Sequence, residues 1–289
     1  MFLPGLSILF DTIDDDLHAS LRTRLGIHGR DGEAEQPATL TLKTARSPER
    51  FFIDPPAPRT GARYAVAIDV DPDPSLSGHL RVRAATYTLA ASFSTAGGEG
   101  TAVLASAEFD SPVRAAENIM RVATAWLALK RGGLLIHSAS IVRDGRAYLF
   151  FGQSGSGKST LSESSRRGQV VSDDLTLLLP GPGGSSEVVG APFRGTYAAG
   201  DPVVGRYPVA AAFRLRKCAG DEEAVVEPLD PSAAMGGAIA NAPFVADQLH
   251  ARPDLFASLE KVLGSFPIRA LRFRKEDDSF WEAIDAAGL

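Results

Sequence analysis

The sequence has little of what several protein classes require. It holds one cysteine, Cys218, in 289 residues, which excludes an internal disulfide framework and a cysteine-rich zinc site. Basic residues are not in excess, since the formal net charge is -5, and this argues against a nucleic-acid partner. No segment approaches the roughly 18 uninterrupted apolar residues of a membrane span. We therefore expect a cytoplasmic protein that binds neither nucleic acid nor membrane.

The first ten residues are apolar but lack the other features of a signal peptide. They carry no basic residue, Pro4 and Gly5 interrupt them, and acidic residues 14–16 follow closely. We interpret them as a buried first strand.

Hydrophobic periodicity predicts two parts, a β-rich region over residues 1–113 and an α/β domain over residues 114–289. Segments of strand character in the first part lie at residues 38–43, 63–69 and 79–94. A helix is expected to begin at Ser111 and Pro112 and to end before Gly132. Downstream, strands are predicted at residues 134–142, 147–151, 169–172, 175–179, 188–189 and 210–216, and helices at residues 159–167, 231–241 and 244–263.

One loop in the second part carries recognisable chemistry. Residues 152–159 fit the pattern Gly-x-x-x-x-Gly-Lys-Ser/Thr without a mismatch, and a predicted strand precedes them while a predicted helix follows. In this pattern backbone N–H groups converge on phosphate oxygens, the lysine reaches the β- and γ-phosphates, and the hydroxyl faces Mg²⁺. The sequence therefore predicts ATP and Mg²⁺ binding by Gly152, Gln153, Ser154, Gly155, Ser156, Gly157, Lys158, Ser159 and Thr160.

The loop alone does not name a reaction, because transporter ATPases share it. The chain lacks their Leu-Ser-Gly-Gly-Gln segment and a distant strand ending in Asp-Glu. Instead the acidic pair Asp173 and Asp174 follows the loop after one short helix and a strand. Adjacent acids on an extended segment point to opposite sides, so one can face substrate while the other supports a metal. Spacing does not decide which acid does which.

Together these pieces resemble the HPr kinase/phosphorylase family. The resemblance covers about residues 115–245 and rests on His137 in the strand before the loop, on the loop itself, and on the segment 167–174. It extends to HPr-kinase-related proteins found beside peptide-modification genes, lasso-peptide kinases among them. It implies an α/β (α+β) fold, a P-loop domain related to phosphoenolpyruvate carboxykinase with a mixed sheet flanked by helices. It also implies transfer of the ATP γ-phosphate to a serine hydroxyl.

Carried over by position, the resemblance implies a role for each residue. Asp174 would accept the serine proton, His137 would lie beside the reacting centre, and Lys158 would neutralise phosphate charge. Ser159 would hold Mg²⁺ together with Asp173. Arg194 is either a surface arginine or a residue that stabilises the transferring phosphate.

Two departures from the family pattern matter. Proline stands at position 192, where the family's Glu-x-Arg-Gly segment carries a metal-binding glutamate. The full phosphorylase pattern is also absent, so we do not predict the reverse reaction.

Arg214 and Arg216 share one face of a predicted strand, and we interpret both as solvated.

Three functions remain open from the sequence. The leading hypothesis is an ATP-dependent kinase for a serine of a peptide or small protein, such as the precursor of a ribosomally made, modified peptide. The second is a kinase for a free amino acid or a sugar. The third is a nucleotide-binding regulatory protein with little catalysis, which the missing glutamate favours. A homo-oligomer is an open expectation from the resemblance, and a peptide-docking sheet edge in residues 1–113 is a hypothesis.

Overall fold

The chain forms a mixed α/β fold. The computed structural model describes residues 1–11, 15–26, 38–46, 53–55, 66–104, 111–193, 195, 203–218, 222–250, 252–275 and 277–289. The chain divides into two compact units, Met1–Lys130 and Arg131–Leu289. The division that the sequence predicts between a β-rich region over residues 1–113 and an α/β domain over residues 114–289 stays a prediction. No helix in the described ranges is long and apolar enough to cross a membrane.

The first unit is built on one sheet. Its described strands are β1 Phe2–Leu3, β2 Leu6–Asp11, β3 Leu40–Arg46, β4 Ala67–Pro72, β5 Leu80–Ala85, β6 Leu89–Ser94 and β7 Gly98–Leu104. They lie in the order β1-β2-β3-β7-β6-β5-β4, with parallel pairing between β2, β3 and β7. The strands predicted at residues 38–43 and 79–94 are confirmed, and the apolar first residues form β1 and β2. The predicted strand at 63–69 is described only from residue 66 onward.

Two helices belong to this unit, α1 (Asp15–Leu25) and α2 (Pro112–Lys130), and α2 packs on β2, β5 and β6. Helix α2 begins where the sequence predicts, and the Ser111 hydroxyl accepts the Arg114 N–H at 3.3 Å. Helix α1 was not predicted, although its buried residues Leu17, Leu21 and Leu25 recur at a spacing of four.

The second unit holds a larger mixed sheet. Its described strands are β8 Leu134–Arg143, β9 Arg146–Phe151, β10 Gln169–Ser172, β11 Leu175–Pro180, β12 Ser186–Val189, β13 Arg206–Lys217, β14 Val225–Glu227 and β15 Ile268–Phe273. The helices are α3 Lys158–Ser164, α4 Pro231–Ile239, α5 Asp254–Leu263 and α6 Phe280–Ala286. The β8–β9 hairpin turns at Asp144 and Gly145, both with positive φ (52° and 75°), as its Asp-Gly pair predicts.

Strand β8 organises the sheet around the glycine loop. It pairs antiparallel with β9 on one side and with β11 and β10 on the other. Strand β9 then pairs in parallel with β13, and β13 in parallel with β15. Because parallel strands end at the same edge of a sheet, the residues that follow β9 come to lie beside the final residues of β13 and β15.

An aromatic core fixes β9 and β13 against the C-terminal helix. The rings of Phe150 and Phe213 stack with centroids 5.6 Å apart, and Phe150 meets Phe280 edge-on at 5.8 Å. Tyr148 and Trp281 also meet edge-on, at 5.1 Å. These contacts pack the strand that carries the glycine loop against β13 and α6.

Candidate active site

The glycine loop leaves the carboxyl end of β9 and runs directly into α3. The Ser156 N–H donates to the Gln153 carbonyl at 3.0 Å, which closes a turn. Gly157 has φ 101°, and a Cβ there would lie 2.6 Å from Phe273 Cζ. A side chain is therefore excluded both by the backbone conformation and by the space, so glycine is required where the loop enters the helix.

Lys158 lies buried against its own loop. Its ammonium donates to the Gly152 carbonyl oxygen at 2.8 Å, and the residue is 7% exposed. The charge is thereby held across the loop instead of extending into solvent. Ser159 and Thr160 follow in the first turn of α3 and are half-buried.

The acidic pair occupies the bend between β10 and β11. Both Asp173 and Asp174 are buried, at 3% and 4% exposure. The Ser172 hydroxyl holds the bend, because it donates to the Leu175 carbonyl at 2.9 Å and accepts the Asp174 N–H at 3.2 Å. Two neighbouring carboxylates are costly to bury unless polar partners hold them.

Each acid has a different partner. Asp173 Oδ1 accepts the Gly195 N–H at 2.6 Å. Asp174 Oδ1 lies 3.3 Å from His137 Nδ1, with both side chains largely buried. The geometry thus separates two acids that spacing alone does not distinguish, one held by a backbone N–H and one facing the histidine.

His137 lies between the loop and the acids because of strand register. Ser138 pairs with Phe151, the last residue of β9, while His137 pairs with Leu175, the first residue of β11. The histidine therefore has the loop across one neighbouring strand and the acidic bend across the other. Its own N–H donates to the Asn241 carbonyl at 2.6 Å, at the point where β9 departs into the loop.

The structure thus places His137 on β8, between the end of β9, from which the glycine loop leads to Lys158, and the bend that carries Asp173 and Asp174. Arg194 lies outside the described residues, although its neighbours Phe193 and Gly195 contact the acidic bend. The half-buried Pro192 precedes them, so no glutamate carboxylate is available at that position.

The residues present suit a magnesium ion held jointly with a nucleotide. Mg²⁺ prefers oxygen donors and is commonly bound by one or two protein groups together with substrate phosphates. Ser159 and Asp173 supply a hydroxyl and a carboxylate of this type. The described part of the chain holds no group of three or more His, Cys, Asp or Glu side chains arranged for a metal.

Comparison with known families decides one point. The family model described as SynChlorMet cassette protein ScmC matches residues 113–287, which is more than half of the chain. The chain belongs to this family. The ScmC match contains every site residue named above, whereas residues 1–112 lie outside it.

Other comparisons add less. No curated protein matches the chain. Among solved structures, the Hpr(Ser) kinase/phosphatase from Coxiella burnetii aligns at 18% identity over 43% of this chain and 95% of that chain, with a TM-score of 0.23. That TM-score is too low for the alignment to carry an argument about the ScmC-family chain.

Sequence reasoning missed the groups that position these side chains. Ser172 acts through its hydroxyl, whereas Gly195 and Asn241 act through a backbone N–H and a backbone carbonyl, which leave no residue-type pattern. The Gly that follows Arg194 was visible in the resemblance, but its contact with Asp173 required the fold.

Proposed function

We propose that the chain is an ATP-dependent phosphotransferase that moves the γ-phosphate of ATP to a serine hydroxyl of a peptide or small protein. The observation that carries the proposal is the buried His137–Asp174 pair, one strand away from the glycine loop. A carboxylate that orients a hydroxyl next to bound phosphates is what phosphoryl transfer requires of a protein.

The contacts support the following roles. Backbone N–H groups of the loop and the Lys158 ammonium bind the phosphates, and the ammonium exchanges its Gly152 carbonyl for phosphate oxygens. The acceptor hydroxyl gives its proton to the Asp174 carboxylate while the hydroxyl oxygen bonds to the γ-phosphorus. The bond between that phosphorus and the bridging oxygen breaks, and ADP leaves with the electron pair.

His137 and Asp173 support this centre. The His137 imidazole fixes the orientation of the Asp174 carboxylate from its Nδ1 side. The Gly195 N–H fixes Asp173, which is the carboxylate suited to Mg²⁺ together with Ser159. When bound, Mg²⁺ would neutralise charge on the β- and γ-phosphates.

The identity of the phosphate acceptor is tested by incubating the chain with peptides, free serine and sugars, each of which carries a hydroxyl. The family's description as a cassette protein supports choosing peptides encoded in the same cassette. Incubation with ATP and Mg²⁺ should add about 80 Da to a serine-containing peptide and not to its serine-to-alanine form. Transfer to free serine or to a sugar, with no transfer to any peptide, would contradict the peptide acceptor and favour a small-molecule kinase.

A nucleotide-binding regulator is the second candidate, because Pro192 stands where the HPr-kinase pattern has a metal-binding glutamate. This candidate predicts that the chain binds ATP tightly, does not hydrolyse it, and transfers its phosphate to none of the acceptors tested. Multiple-turnover release of ADP in the presence of a peptide would exclude it.

A further inference from the structure

An arginine that has no ion-pair partner among the described residues lies beside the glycine loop. Arg214 of β13 is in register with Phe151, the residue directly before Gly152. A Cβ at Gly152 would lie 3.7 Å from the carbonyl oxygen of Leu215, the residue after Arg214. The strand segment that carries Arg214 therefore borders the start of the loop.

The environment of Arg214 differs from that of the other arginines on this face of the sheet. Arg216 lies 3.9 Å from Glu227, and Arg272 lies 3.0 Å from both Glu222 and Glu227. Among the described residues, Arg214 has no carboxylate within ion-pair distance. In the part of the chain that the structure describes, Arg216 and Arg272 thus each have a carboxylate within 4 Å, and Arg214 does not.

Arg214 is also less solvated than the sequence indicates. Arg216 is exposed, but Arg214 is half-buried, which corrects the prediction that both are solvated. Helix α4 covers its stem, since a Cβ at Gly237 would lie 3.5 Å from Arg214 Cδ and 3.7 Å from Nε. A half-buried guanidinium without a counter-charge is unfavourable, so a bound anion would stabilise it.

The nucleotide of the proposed function would supply that anion, and the charges at the site call for a second cation beside it. Two buried carboxylates, Asp173 and Asp174, lie on the other side of β8, and a nucleotide would add several more negative charges. Within the described residues of the loop, Lys158 is the one cation. The planar guanidinium of arginine donates to phosphate oxygens in pairs, which makes it suited to a second position.

We propose that Arg214 is the second phosphate-binding cation of the loop and contacts the polyphosphate of the bound nucleotide together with Lys158. This inference rests on the proposed function, because it needs a nucleotide at residues 152–160. The aliphatic stem of Arg214 packs under α4, and its guanidinium provides the charge.

The test compares three variants of the full chain in their binding of a non-hydrolysable ATP analogue and of inorganic tripolyphosphate. Arg214→Met keeps the aliphatic stem and removes the charge. Arg214→Lys keeps a charge, and Arg216→Met is the matched control on the same face. The unfolding midpoint without ligand shows whether each variant is folded.

Arg214→Met should weaken binding of both probes by about 10- to 100-fold, since a hydrogen-bonded charge is lost. Arg214→Lys should recover part of that loss, and Arg216→Met should stay within about twofold of the original chain. Tripolyphosphate tests the phosphates directly, because it has no base or ribose.

Three results would overturn the inference. Arg214→Met that binds the analogue as tightly as the original chain would contradict it and leave the proposed function standing. The original chain binding no nucleotide at all would contradict both. Equal losses in Arg214→Met and Arg216→Met would also overturn it, since a general charge effect would then be at work.

Discussion

At the residue scale, the site depends on how two adjacent acids are held. Asp173 is fixed by a backbone N–H, and Asp174 faces a histidine. The sequence predicts the loop, the histidine and both acids, because each has a characteristic residue type at a characteristic spacing. Spacing alone does not distinguish the two acids, because the difference between their contacts comes from Gly195 and from the strand register of His137.

Gly195→Ala tests the positioning of Asp173. A Cβ at Gly195 would lie 2.8 Å from Asp173 Oδ2 and 3.2 Å from Asp174 Cβ, so one of the two segments must shift. We expect phosphate transfer to fall by roughly 10- to 100-fold, because displacement of a positioned group has that effect. Steady-state transfer rates measure it.

The matched control is Gly236→Ala in α4, where a Cβ would meet nothing within 4 Å. Alanine favours a helix, so this variant should be as stable as the original chain or slightly more so, with unchanged activity. Unchanged transfer in Gly195→Ala would remove Asp173 from the proposed site.

At the scale of the elements, local signals predict some parts well and miss others. Helix α2 and the β8–β9 hairpin have strong caps and turn residues, and both appear as predicted. Strand β15 and helix α6 were missed, because they have 6 and 7 residues and show too few periods of a pattern. Strand β7 was missed because its glycines suggest a turn.

Strand β7 needs the glycine at position 100 for packing. A Cβ at Gly100 would lie 2.9 Å from both Leu42 and Phe93. A glycine within a strand often marks such a close approach, but the sequence does not show what approaches.

The helix predicted at 244–263 begins later, at Asp254, since Phe244 has φ 68° and Pro253 precedes the helix.

Gly157→Ala tests the junction between the loop and α3. The left-handed φ of 101° and the contact with Phe273 should together lower the free energy of unfolding by about 1–3 kcal/mol, measured by urea unfolding. Gly183→Ala is the control, because Gly183 also has a positive φ (64°) but nothing within 4 Å of a Cβ. Equal losses in both variants would show that Phe273 does not matter.

Asp73 tests the turn that follows β4. The Ser75 hydroxyl, which donates to Asp73 Oδ1 at 2.6 Å, is the main reason that the pKa of this carboxyl lies well below its usual range, and Arg81 adds to the effect. A lowered pKa means that the folded state favours the charged form. The stabilisation is therefore present above the unfolded pKa of about 3.9 and is lost as pH falls below it.

Asp73→Asn should remove that part of the pH dependence, so that its stability falls less steeply than that of the original chain as the pH drops below about 4. Asp71→Asn is the control, because Asp71 is largely exposed and its ion pair with Arg83 lies on the surface. Denaturant unfolding over a pH series measures the effect. Parallel pH curves for Asp73→Asn and the original chain would contradict this account.

At the scale of the whole molecule, the chain carries two compact units, and every proposed site residue lies in the second. We therefore expect a non-hydrolysable ATP analogue to slow hydrogen exchange at residues 152–160 and in β13. Mass spectrometry of peptic fragments measures this. Protection confined to Met1–Lys130 would contradict the placement of the site.

The function of the first unit is not indicated by its residues. The sequence predicts strands there because alternation is local, but a docking role depends on a partner that neither composition nor fold identifies. The peptide-docking edge, the homo-oligomer and the cytoplasmic location therefore stay predictions.

The most direct test of the central claim compares the original chain with Asp174→Asn and Lys158→Ala in single-turnover transfer from ATP to a cassette peptide, with nucleotide binding measured in parallel. We predict that Asp174→Asn lowers the transfer rate by about 100-fold or more while nucleotide binding persists, because a base is lost. Lys158→Ala should weaken binding and transfer together. Transfer by Asp174→Asn at the original rate would contradict the claim that Asp174 beside His137 accepts the proton of the acceptor.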